Sequence, residues 1–98
     1  MARRRKFSNE PLGETVQRLM AENGHTYRGL ADATGLSAGY LNHIVHGNRP
    51  VPSNEVVERL AKALGVEAEH FREYRLRAVV ERLERSPELT DRLYRRFS

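Results

Sequence analysis

The chain has no cysteine among its 98 residues, which excludes a disulfide framework, a thiolate nucleophile and a Cys-type zinc site. It also lacks any long apolar run. No segment approaches the ~20 residues needed to span a bilayer, and the basic start Met1-Ala2-Arg3-Arg4-Arg5-Lys6 is not followed by the apolar stretch of a secretory signal. A soluble, cytoplasmic protein without membrane contact is expected. Equally absent are a Gly-rich phosphate loop, a nucleophile elbow and paired acids in an apolar setting, and so short a chain has little room for a deep cleft beside its core. Neither catalysis nor a cofactor is expected. His43 and His46 stand three residues apart and could join His25 or His70 on a metal. No His-Glu-x-x-His pattern accompanies them, so no metal is expected either.

What is present is positive charge, unevenly placed. Of the net +4, all is accounted for by Arg3, Arg4, Arg5 and Lys6, because the remaining 13 basic and 13 acidic residues cancel. Residues 1–9 therefore form a basic arm, expected to be disordered when free; it either tracks DNA phosphates or is a solvated terminus. Ninety-eight residues support one modest core, so added stability would come from association.

Residues 10–66 are patterned as four helices. Pro11 suits a first helical turn, and Leu12, Val16, Leu19 and Met20 give the first helix, to Asn23, one apolar face; Gly24 ends it. Thr26 caps a second helix to Thr34, Gly35 makes the turn, and Ser37 caps a third to His46. Pro50 and Pro52 keep the following loop out of helix. Ser53 then caps a fourth helix with an apolar stripe of Val56, Val57, Leu60, Ala61 and Leu64, closed by Gly65.

Two short helices joined by a tight turn are a device for entering a DNA groove. On the third helix Leu41, Ile44 and Val45 repeat at helical spacing, leaving Ala38, Gly39, Asn42, His43 and His46 exposed. Asn42 pairs with adenine geometry, His43 with guanine N7 or a phosphate, and Ala38 with a thymine methyl; the alternative is a plain exposed helix surface. Gly39 lowers helix stability, which close approach to DNA or simple tolerance would explain. Ser37 and the free amides behind it suit a phosphate. Arg28, and Asn48 and Arg49 in the loop, are further phosphate candidates, with solvation as the alternative.

Leu30-Ala31, Gly35-Leu36-Ser37, Leu41, Ile44, Gly47-Asn48-Arg49 and Leu60-Ala61-Lys62-Ala63-Leu64-Gly65-Val66 resemble the phage-repressor and Cro type of helix-turn-helix domain, over roughly residues 11–66. The resemblance implies an all-α fold: a compact bundle of about five helices whose third lies in the major groove of double-stranded DNA, usually in a homodimer on a two-fold operator. Where many members carry a phosphate-contacting Gln this chain has Tyr27, and where many carry an acid before the turn it has Val45, which implies deeper burial there. The family position of Tyr40 implies either a hydroxyl–phosphate bond or packing on the second helix.

Residues 67–98 are outside the resemblance and read as a helical extension for dimerisation or partner docking. A charged helix is expected over 67–85, with Glu73/Arg77 and Glu81/Arg85 in favourable i,i+4 order. Leu76, Val79, Val80 and Leu83 share one side, with Phe71, Tyr74 and Ala78 roughly opposite. Ser86 and Pro87 start a final helix with Leu89, Leu93 and Phe97 in a stripe and Tyr94 at its edge. At about a dozen residues it must dock on something. A sequence-specific regulator, a repressor acting as a homodimer through Leu76, Val80, Leu83, Leu89, Leu93, Tyr94 and Phe97, is the leading expectation. The alternative is an antitoxin or adaptor whose last helices dock another protein.

Overall fold

A computed structural model describes residues 7–47 and 50–98. The described residues form six α-helices and one 3-10 turn: α1 (Leu12–Asn23), α2 (Tyr27–Thr34), α3 (Ala38–Val45), α4 (Asn54–Leu64), the 3-10 turn Ala68–His70, α5 (Arg72–Arg85) and α6 (Pro87–Phe97). Local chemistry sets the helix starts. Thr26 and Ser37 each accept a hydrogen bond at 3.0 Å, from Gly29 N and Tyr40 N; Ser53 and Ser86 do the same for Val56 N and Leu89 N. Gly35, at φ 75°, makes the left-handed turn between α2 and α3.

One core joins α1 to α4. Val16 from α1, Leu30 from α2, Leu41 from α3 and Val57 and Leu60 from α4 are all fully buried, and Val45 is buried as expected. The approach of α1 to α3 depends on Gly13. A β-carbon there would lie 2.6 Å from the Val45 carbonyl oxygen and 2.7 Å from that of Ile44, closer than non-bonded atoms approach. Gly13→Ala should therefore destabilise the fold by about 1–3 kcal/mol, the range for overpacking. Urea unfolding with an unchanged midpoint would mean that the two helices part without strain.

Two features differ from the sequence expectation. The five-helix bundle plus extension is instead a bundle of α1 to α4 closed by the 3-10 turn, with α5 and α6 beyond it, because the helix expected over 67–85 is broken at Phe71. That residue is extended (φ −82°, ψ 129°), and its fully buried ring is the last contribution to the core. An unbroken helix would have to bury Phe71 and its opposite face together. After the break, neither α5 nor α6 has a buried residue. The second difference concerns the arm expected over 1–9. Its last three residues are held: Ser8 is buried, its N–H donates to the His70 carbonyl at 2.8 Å, and its hydroxyl is 2.7 Å from that of Thr15. Arg75 donates to the Ser8 carbonyl at 2.8 Å and stacks 4.5 Å over the Phe7 ring.

Candidate nucleic-acid interface

The outer face of α2, the turn and α3 carries the residues that the sequence singles out. Arg28, Ser37, Ala38, Gly39, Asn42, His43 and His46 are all exposed, while Leu41, Ile44 and Val45 turn inward. This follows from helical period: the apolar positions of α3 consume one side, and the polar positions fall on the other. Nothing lies within 4 Å of where a β-carbon on Gly39 would stand, so packing inside the protein does not demand glycine there.

Several candidates are less free than their sequence positions imply. The Ser37 hydroxyl accepts the Tyr40 amide, which fixes its oxygen over the helix start and leaves its own O–H, with the adjoining helix amides, as anion donors. His46 Nδ1 is 2.8 Å from the Asn42 carbonyl oxygen, so its ring is drawn back along its own helix. Tyr27 and Tyr40 are half-buried and pack against the core. Arg3, Arg4, Arg5, Lys6, Asn48 and Arg49 lie outside the described residues.

The extension presents a separate surface. Leu76, Val80, Tyr94 and Phe97 are exposed, Phe97 by 83%. Leu83, Leu89 and Leu93 are half-buried where α5 and α6 meet.

Polar links from α5 to the bundle have no clear trace in the sequence. Glu81 and Arg85 pair at 2.7 Å as expected, but the expected partners Glu73 and Arg77 go elsewhere. Arg77 donates to the Val51 carbonyl at 3.0 Å and to Asn54 Oδ1 at 2.9 Å, and it also reaches the Pro52 carbonyl, clasping the segment that leads into α4. Glu73 accepts the Leu12 amide at 3.0 Å. Tyr74 donates to Glu58 of α4 at 2.8 Å. That hydrogen bond, reinforced by partial burial and the carboxylate charges of Glu58 and Glu69, raises the phenol pKa above its ordinary value. A continuous helical charge pattern gave no sign that these side chains would turn toward the bundle.

No three acidic, histidine or cysteine side chains among the described residues are placed to hold a metal, and no helix there is long and apolar enough to cross a membrane. Residues 11–74 match the family model described as a helix-turn-helix domain. Among solved structures, the clp gene regulator ClgR from Corynebacterium glutamicum is 32% identical, with a TM-score of 0.55 and coverage of 81% of this chain and 88% of its own. SinR, the master regulator for biofilm formation, in complex with DNA, is 25% identical, with a TM-score of 0.55 and coverage of 57% of this chain and 89% of its own. A chain of the SinR–SinI complex shares the fold at 18% identity, with a TM-score of 0.60 and coverage of 88% and 89%. No curated protein sequence matches the chain.

Proposed function

The chain belongs to the helix-turn-helix family of DNA-binding transcriptional regulators, of the phage-repressor and Cro type, and from that premise we propose a specific role for it. It is a sequence-specific repressor that binds an inverted-repeat operator as a homodimer, with α3 in the major groove. The observation that carries this reading is the outer face of α3. Ala38, Gly39, Asn42 and His43 stand together on one exposed side of a helix whose other side is locked into the core. Gly39, free of any internal packing demand, allows a backbone or base to come close. That SinR, 25% identical over the part compared, was solved in complex with DNA supports DNA as the partner of this chain.

Within this reading Asn42 and His43 read bases, Ala38 and Gly39 allow close approach, and Arg28, the Ser37 helix terminus and the loop and arm residues hold phosphates. Selection from a random duplex pool should enrich an inverted repeat. Asn42→Ala or His43→Ala should then lower the ratio of specific to random-duplex affinity about tenfold, within the 1–3 kcal/mol of one good base contact. Arg28→Ala should weaken both affinities together and flatten the slope of log affinity against log salt by about 0.9. Equal losses for all three variants would reduce α3 to a positioning element.

A further inference from the structure

Pro11 occupies the cap position of α1 and makes no side-chain cap bond. The first amide of that helix is met instead by Glu73 Oε2, from the first turn of α5 and 61 residues further along. The Glu73 side chain is only 15% exposed, with Arg72 Nη2 3.5 Å from the same oxygen, and its other oxygen is buried without a hydrogen-bond partner. A carboxylate at this place faces the positive end of the α1 dipole.

A local residue could cap α1 more simply. Serine at position 11 would stand three residues before Glu14, the spacing of a capping box. What Glu73 adds is a link between α5 and α1. One residue past its hydrogen-bond partner is Gly13, whose backbone rests against the carbonyl groups of Ile44 and Val45. Those carbonyls belong to the last turn of α3, next to Asn42 and His43. Packing this close transmits displacement instead of absorbing it.

We propose that Glu73 is a positioning residue for α3, acting through Leu12 and Gly13, so that the root of the C-terminal extension sets how the recognition helix meets DNA. The proposal rests on the base-reading role given above to Asn42 and His43. It does not require Glu73 to touch DNA.

The test uses the full chain, the duplex recovered by selection and a random-sequence duplex. Glu73→Ala should lower the melting temperature and also lower the specific-to-random affinity ratio about tenfold, the discrimination of one base contact. Adding Pro11→Ser restores a cap but not the link. The double variant should regain the melting temperature while its affinity ratio stays low. Should Glu73→Ala alone fail to fold, the double variant and Glu73→Met, which keeps the bulk and cannot accept the Leu12 amide, give the same reading. An unchanged ratio in these variants, or a ratio that recovers together with stability on adding Pro11→Ser, would leave Glu73 as a cap only and overturn the proposal. A ratio near one in the unaltered protein would instead remove the base-reading role itself.

Discussion

A chain ended after Arg85 is expected to fold, to lose self-association and to bind a two-fold operator at least a hundredfold more weakly than the full chain. It should fold because the core is complete at Phe71 and α6 contributes no buried residue to it. It should fail to associate because α6 carries Leu89, Leu93 and Phe97 at a spacing of four, a stripe that one molecule covers only in part: Leu89 and Leu93 are half-buried, while Phe97 is 83% and the neighbouring Tyr94 70% exposed. The charges of α6 favour a second copy as the cover. Glu88 and Asp91 lie toward its start and Arg95 and Arg96 at its end, so two copies laid antiparallel would set acid against base at both ends. Affinity follows because a dimer holds two recognition helices about 34–36 Å apart, and the second half-site then binds as an intramolecular event, a gain of about 10²–10⁴. Affinity for an isolated half-site should be unchanged. Sedimentation and operator titration check both parts. A full chain that sediments as a monomer at micromolar concentration, with operator affinity untouched by truncation, would favour the adaptor reading.

Much of the DNA-binding core was legible because its signals are local. Thr26, Ser37, Ser53 and Ser86 cap the helices that their positions imply, since a cap involves only residues within one turn. The exposed side of α3 follows from three apolar residues at helical spacing. What escaped the sequence depends on partners far away. Gly13 reads as a weak helix residue until α3 is seen against it, and Glu73 and Arg77 read as an i,i+4 pair until the Leu12 amide offers Glu73 a donor and the Val51 carbonyl offers Arg77 an acceptor. Ser8 reads as part of a solvated arm because nothing nearby in the chain explains its burial. The return of the His46 ring onto the Asn42 carbonyl is a choice of side-chain rotamer, which composition does not encode. The break at Phe71 carries neither Pro nor Gly to mark it. There a single buried aromatic ring overrides helical propensity.

That ring is the basis of the largest expected effect on stability. Phe71 is fully buried, meets the His70 ring edge-on at 5.9 Å and sits between the 3-10 turn and α5. Phe71→Ala should lose about 3–5 kcal/mol, a large share of the ~5–15 kcal/mol that holds a small domain together. The loss should not stay local, because the His70 carbonyl receives the Ser8 amide and Arg75 holds the Ser8 carbonyl and the Phe7 ring. Freed from Phe71, the root of α5 would release residues 7–9 as well. Leu76, five positions later and 58% exposed, gives the contrast. Leu76→Ala should barely alter unfolding of the monomer, because most of its surface is already in water, yet it should weaken association by removing apolar area from the shared face. Urea unfolding of both variants at low protein concentration, beside sedimentation over a concentration series, separates the two roles. If Phe71→Ala loses less than about 1 kcal/mol, well below the range for a buried aromatic, the core would end before the 3-10 turn. If Leu76→Ala destabilises the monomer as strongly as Phe71→Ala, the face assigned to association would be part of the fold instead.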